Sequence, residues 1–296
     1  MSIKVNWTNP ASAADSIRIY RSATPFDASN LPAALVTLAA DAVEHIDTTN
    51  ILNAVYYYRV GRVVGSDVVL SKQLALTERA NMGPGSNVFI RGDADCGYMG
   101  DVTADDLFTT AGLSTELGIS FGTVNAVSPT WHKFLHDGKI KFIPNNALRV
   151  HIGSWSTMYA AGLVYGSDDF GSNGGGANVL QNRRVSKGGN TYKVRLMKAH
   201  SKASPNMPSG FTPATVPDSE FAELITRMYQ SPLLSGAARW NDRTKLLNEV
   251  IPPTYYCPMA GATGTNIYAM HSSTFAGLSS TYNSQIAWLP VLELVD

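Results

Sequence analysis

Two short arms, Trp131-His-Lys-Phe-Leu-His136 and Lys139-Ile-Lys-Phe-Ile-Pro144, flank Asp137-Gly138, and no other stretch of the chain restricts its fold as strongly. Asp-Gly supplies the two left-handed residues of a type I′ turn, whose twist matches a pair of antiparallel strands. A second hairpin reads from Gly188-Gly-Asn190, which turns 184–185 into 191–196. There Tyr192, Val194 and Leu196 alternate with Lys193 and Arg195. The same period of two runs through Ile3, Val5 and Trp7, through Ile17-Arg-Ile-Tyr-Arg-Ser22, and through Asp47 to Val60. In the last of these, Tyr56, Tyr58 and Val60 share one strand face while Tyr57 and Arg59 point the other way. The expected fold class is mainly β with some α.

Residues 1–80 read as a β-sandwich of short strands between turns. Residues 81–86, Asn-Met-Gly-Pro-Gly-Ser, read as a linker, and 87–296 as a mixed α+β domain. Three helices are expected in that second domain. Thr103-Ala-Asp-Asp106 has the form of a capping box before Leu107 and Phe108. Ser154 caps a short helix that buries Trp155, Met158 and Tyr159 and stops at Gly162. Residues 218–230 place Phe221, Leu224, Ile225 and Met228 on one stripe. The run 286–295 reads as a closing core strand, and the proline-rich stretch 201–217 as a long irregular excursion.

Charge excludes some functions. The 296 residues carry 23 basic and 23 acidic side chains, so bulk electrostatics draws the protein to neither nucleic acid nor anionic membrane. Arg183-Arg184 is too short a basic run to change that. No apolar run reaches the ~18 residues of a membrane span. The opening Met1 to Trp7 alternates like a strand, so no signal peptide and no membrane insertion are expected. Cys96 and Cys257 make no disulfide framework; two buried thiols are expected, with a bridge between them as the alternative.

The catalytic motifs are weak. His132 and His136 have metal-ligand spacing, but on one strand they stand about 13 Å apart and cannot share an ion. Gly118-Ile-Ser-Phe-Gly122 matches a nucleophile elbow in spacing alone, because no helix follows Ser120. Asp93-Ala-Asp-Cys-Gly97, with Asp101 and Asp105, lacks the fifth and twelfth ligands of a calcium loop. The Gly-rich loop 171–176 lacks the Lys-Ser/Thr ending of a phosphate loop. No catalytic residue, no metal and no cofactor is therefore assigned. Binding falls instead to aromatic and acidic residues near loops: Tyr165, Asp168, Asp169, Phe170, Tyr268 and Tyr282, with Tyr255 and Tyr256 close by. Asp168-Asp169 is also a weak cation candidate.

Two resemblances extend this reading. Trp7, Ile19-Tyr-Arg-Ser22, Asp47-Thr-Thr49 and Tyr56-Tyr-Tyr-Arg-Val60 resemble a fibronectin type III domain, and Tyr56 is then the corner tyrosine, its hydroxyl bonded to backbone near Leu52. Further on, an ordered set resembles a domain at the ends of bacteriophage virion proteins, tail and adhesion proteins above all. The set comprises Gly97-Tyr-Met-Gly100, Trp131-His-Lys-Phe134, Gly138-Lys-Ile-Lys-Phe-Ile143, Ser154-Trp155, Gly162-Leu-Val-Tyr-Gly166, Tyr192-Lys-Val-Arg-Leu196, Ser219-Glu-Phe221 and Trp288-Leu-Pro-Val-Leu-Glu-Leu294. The segment Pro144-Asn-Asn-Ala-Leu-Arg149 is less basic than in that family, and Tyr256-Cys-Pro258 departs from its pattern. The closing strand is similar to that of C-type-lectin-like domains. The resemblance implies a non-enzymatic virion protein of the tail, fibre or baseplate, localised in the particle. Its implied partners are other virion proteins, further copies of itself in a trimer or ring, and a glycan or protein of the host surface. A collar, neck or head-decoration subunit is the alternative, and a surface-glycan hydrolase the third reading. Trp7, Tyr56, Tyr58, Trp155 and Trp288 are the expected structural aromatics.

Overall fold

A computed structural model describes residues 2–8, 14–152, 155–171, 178–198, 220–228, 255–256, 267–271, 277–280 and 286–295. The chain is mainly β, with several antiparallel sheets and few helices. The N-terminal part contains β1 (Ile3–Asn6), β2 (Ser16–Ser22), β3 (Ala34–Leu38), β4 (Glu44–Asp47), β5 (Val55–Val64), β6 (Asp67–Leu70) and β7 (Leu74–Thr77). Strands β1 and β4 pair with each other, while β3, β2, β5 and β6 form the second layer, with β7 also paired to β5. Ile3, Val5, Ile17, Ile19 and Tyr58 pack between the layers.

One carboxylate ties this core together. Asp47 accepts from Tyr58 Oη (2.7 Å) and Arg21 Nη1 (2.6 Å) through one oxygen, and from Thr49 N (2.9 Å) and Thr49 Oγ1 (2.8 Å) through the other. Burial pushes its pKa up, but the hydrogen bonds from Tyr58, Thr49 and Arg21 outweigh it and hold the group at about 2. Tyr56 Oη lies 3.4 Å from Ile51 N, one residue from the expected Leu52, and Arg21 stacks 4.7 Å from its ring centre. Trp7 is half-buried against the same core.

The second part contains β8 (Arg91–Gly92), β9 (Cys96–Val102), α1 (Thr110–Leu117), β10 (Thr123–Val124), β11 (Trp131–His136), β12 (Lys139–Pro144), β13 (Arg149–Val150), α2 (Trp155–Ala160), β14 (Arg184–Lys187) and β15 (Asn190–Arg195). It continues with the π-helical α3 (Phe221–Thr226), then β16 (Tyr255–Tyr256), β17 (Ile267–His271), β18 (Gly277–Ser280), β19 (Ile286–Trp288) and β20 (Val291–Leu294). Its spine is an antiparallel sheet in the order β14-β15-β20-β12-β11-β9-β8; a second sheet runs β10-β13-β19-β16-β17-β18, where β16 and β19 are parallel. Both expected hairpins form. Asp137 and Gly138 have φ of 50° and 67°, and Gly188 and Gly189 of 58° and 78°, as a type I′ turn requires.

Three expectations need correction. The Thr103–Asp106 capping interaction closes (Thr103 Oγ1 to Asp106 Oδ2, 2.7 Å) around a single turn, and the helix starts later, capped by Thr109. Residues 218–230 are not a plain α-helix: the described part is π-helical from Phe221 to Thr226, with Leu224, Ile225 and Met228 buried as the stripe requires. The run 286–295 divides at Leu289-Pro290 into β19 and β20, which belong to different sheets. Proline has no N–H to continue a ladder. Ser154 and 201–217 lie outside the described residues. Residues 81–86 lie against the second core, since Met82 packs on it and a Cβ on Gly83 would stand 3.1 Å from the Phe142 ring.

The two parts are joined by packing and hydrogen bonds. Ala75 of β7 belongs to the core of the second part, with Val55 and Tyr57 against it. Ala75 N donates to Asp93 Oδ2 (3.1 Å), Ala94 N donates to Ala75 O (3.0 Å), and Tyr57 Oη donates to Asp95 Oδ1 (2.7 Å). Arg79 Nη1 donates to Gly138 O (2.5 Å), and Asn81 Nδ2 to Asn190 Oδ1 (2.8 Å), so both hairpin tips meet this junction.

Candidate functional site: a buried charge network beside an exposed loop

Strands β11 and β12 are buried almost along their full length, so their polar residues lie inside the protein. On one face Leu135, Ile140, Phe142, Tyr192, Val194, Leu292 and Leu294 enter the main apolar core. The opposite face carries a row of charge from β9, β11, β12, β15 and β20, with Glu220 and α3 across it. Arg195 forms a bidentate pair with Glu220 (2.7 Å to each oxygen) and also reaches Glu293 (Nη2, 2.9 Å). Lys141 Nζ lies 2.8 Å from Glu220 Oε1 and 2.7 Å from His136 Nδ1, and His136 Nε2 lies 2.5 Å from Glu223 Oε2. Lys198 N also donates to Glu220 (2.8 Å), and Arg227 reaches toward Cys96 Sγ (3.8 Å).

The electrostatics favour permanent ionisation. Burial opposes the charge on Glu220, but Arg195 and Lys141 outweigh it and hold the carboxyl well below its ordinary value. Glu293 is lowered by Arg195 against burial in the same way. Arg195 is raised by Glu220 and Glu293 although its burial works against it. A catalytic general acid needs a carboxyl shifted upward. Among the described residues every carboxyl with a resolved shift is lowered: Asp27, Asp47, Asp168, Asp169, Glu220 and Glu293.

Cys96, His136 and Glu223 bring ligand atoms within 4.8 Å of one another. Their hydrogen bonds do not fit a metal. With the Lys141 ammonium donating to His136 Nδ1, the tautomer that satisfies both close contacts carries its proton on Nε2 and donates to Glu223, while Asp137 Oδ2 stands 3.4 Å from Nδ1. A metal on Nε2 needs that proton on Nδ1, facing the ammonium. Burial, then Glu223, pushes the Cys96 thiol up to about 12. The arrangement is a hydrogen-bonded ion chain that fastens α3 to the sheet.

The other motifs dissolve into structural roles. His132 does not meet His136; it pairs with Asp101 at 2.6 Å. Asp93 and Asp95 form the junction already described. Gly118 is the left-handed cap of α1, and a Cβ on Gly122 would overlap the Val150 carbonyl oxygen. Ser120 therefore follows a helix, the reverse of a nucleophile elbow. Lys133 is fully buried; burial pushes it down to about 8, and it donates to Asn87 Oδ1 at 3.0 Å.

The expected binding residues separate. Tyr165 is half-buried, edge-on to Tyr159, and Gly171 lies against its ring. Asp168 pairs with Arg184 (2.9 Å) and Lys193 (3.4 Å). Asp169 accepts from Ser167 Oγ (2.5 Å) and Gly171 N (2.9 Å), closing a turn. Phe170 is exposed at 41%, while its carbonyl accepts from Tyr159 Oη. Tyr268 lies on β17, as Tyr255 and Tyr256 lie on β16, with their side chains outside the described residues; Tyr282 and 172–177 lie outside altogether. Trp288 is fully buried and edge-on to Phe121, and α2 contains Trp155. Sequence reading missed the network of Lys141, Arg195, Glu220 and Glu293. The available signal was a charge inside each of several apolar strands.

Among the described residues no helix is long and apolar enough to cross a membrane. Compared with protein-family models, with curated proteins and with solved structures, the chain has no significant match in any of the three.

Proposed function

We propose that this chain is a structural protein of a bacteriophage particle, in the tail, fibre or baseplate apparatus, where its N-terminal sandwich docks on the particle and its larger body meets the host surface. The observation that carries the reading is the junction. Asp93, Ala94, Asp95, Gly138 and Asn190 of the second part all bond to the first part or to the segment that follows it. Two bodies held in register suit a protein that holds a surface at a set place in an assembly.

The strand order β3-β2-β5-β6, faced by β1-β4, supports the fibronectin type III reading of the first part, and the Asp47 knot gives its quoted residues a physical purpose. The buried sheet with loops around it supports an adhesion-type body that is lectin-like in plan. Fold by itself does not decide function. A specific observation favours the second reading, a collar, neck or head-decoration subunit: Tyr165, Asp168 and Asp169 are occupied by contacts within the chain. Phe170 is then the aromatic that this loop offers a partner.

Mass spectrometry of gradient-purified particles from cells expressing the chain tests the proposal; peptides at structural stoichiometry are expected, and their absence overturns it. Labelled protein added to intact host bacteria then separates the two placements. Saturable binding that blocks phage adsorption supports the tail reading, and no binding at micromolar protein supports the collar or decoration reading.

A further inference from the structure

Strand β1 pairs with β4 and with no other described strand. Trp7 N donates to Val43 O on the β4 side, and N–H directions alternate along a strand. Ile3 and Val5 therefore turn their N–H groups toward β4, while those of Lys4 and Asn6 point to the edge that no described strand covers. Unpaired edges of this kind are templates for another strand.

Beside this edge lies a pocket of about 390 Å³. Val5, Trp7, Val60 and Leu74 give it an apolar part, Asn6, Ser71 and Gln73 a polar one, and Gly92 of the second part also lines it. Lys72 also lines it and forms no ion pair among the described residues, while Asp93, which lines it too, accepts from Ala75 N and Asp95 N through its two oxygens. Leu74, which lines it, is 39% exposed.

We propose that β1 and this pocket form a docking groove for an extended peptide segment of a neighbouring protein. The segment adds a strand beside β1, places one bulky apolar side chain in the pocket and sets a carboxylate against Lys72. The N–H groups of Lys4 and Asn6 select an extended backbone, the apolar part selects the inserted side chain, and the lysine selects the acid. This goes beyond the virion reading and does not rest on it.

The test uses the full chain and a set of fluorescein-labelled synthetic decapeptides that alternate threonine and valine. They carry phenylalanine, leucine or tryptophan at the centre and glutamate or lysine beside it. Saturable anisotropy is expected, with glutamate preferred over lysine about fivefold, the effect of one partly exposed charge pair. Hydrogen exchange at Lys4 and Asn6 slows on binding, while Val5 and Trp7, already bonded to β4, change little. Lys72→Glu reverses the peptide preference. Asn6→Pro, which removes one open-edge N–H, weakens binding about tenfold or more; should it fail to fold, Leu74→Glu serves instead. No saturable binding across the set, or binding that leaves Lys4 and Asn6 exchange unchanged, overturns the proposal. Displacement of the peptide by N-acetylglucosamine also overturns it and makes the pocket a saccharide site. Peptide binding by a chain that is absent from particles leaves the groove standing and removes the virion reading; the converse removes the groove.

Discussion

Glutamine at position 220 keeps the volume of Glu220 and removes its charge. The carboxylate accepts from Arg195 twice, from Lys141 and from Lys198 N. In Glu220→Gln one oxygen becomes an NH2 group, and in either rotamer it faces two donors. Removing one partner of a buried ion pair costs about 3–5 kcal/mol, most of it from the charge left behind. Glu293 keeps part of Arg195 compensated, so about 3 kcal/mol is expected. With a urea slope of about 2 kcal/mol/M, the unfolding midpoint falls by about 1.5 M. Fluorescence of the fully buried Trp131 and Trp288 follows the transition. The pH dependence has a definite sign. A carboxyl depressed in the folded state stabilises above its unfolded pKa of about 4.3 and loses that contribution as pH falls through the folded value. The gap between wild type and Glu220→Gln therefore begins to narrow below about pH 4 and goes on narrowing as pH falls toward the folded value. A midpoint shift smaller than about 0.3 M at pH 7, or a gap that does not narrow between pH 5 and pH 3, refutes the reasoning.

Other consequences are as concrete. Asp47→Asn destabilises the N-terminal sandwich by about 1–2 kcal/mol after solvent screening, and wild type loses the same contribution as pH falls from about 4 toward about 2; near-ultraviolet circular dichroism of the tyrosines reads both. Gly122→Ala costs more than about 3 kcal/mol because backbone oxygen blocks its Cβ, whereas Gly118→Ala, with open space around it, costs about 1 kcal/mol from its left-handed φ. Equal thermal shifts for the two would refute the steric account. Cys96 is alkylated by iodoacetamide at pH 8 at least about a hundredfold more slowly than a free peptide thiol; peptide mapping separates it from Cys257, and equal rates would contradict the buried environment.

Local chemistry made much of the fold legible. Asp137-Gly138 and Gly188-Gly189 announced their hairpins because few residues tolerate both left-handed positions. The alternation of Tyr56, Tyr58 and Val60 against Tyr57 and Arg59 was readable because each side chain has one face to choose. What stayed hidden depends on distant partners. Lys141, Arg195 and Glu293 read as solvent-facing residues of half-buried strands, and nothing local reveals that Glu220 would cover them. The loop acids read as a binding surface because Arg184 and Lys193, which neutralise Asp168, lie 16 and 25 residues away in sequence. Thr103 and Thr109 both offer an N-cap, and local pattern does not rank them; burial of Leu113 and Leu117 does.

The junction at Ala75 has a mechanical consequence. Its N–H and its carbonyl are bonded to adjacent residues, Asp93 and Ala94, while Tyr57, Arg79 and Asn81 hold further points nearby. A torque applied to one body is shared among several short bonds instead of being taken up in a free hinge. The chain then behaves as a lever: a small rotation where one body is anchored is carried, with little loss, to whatever the other body touches.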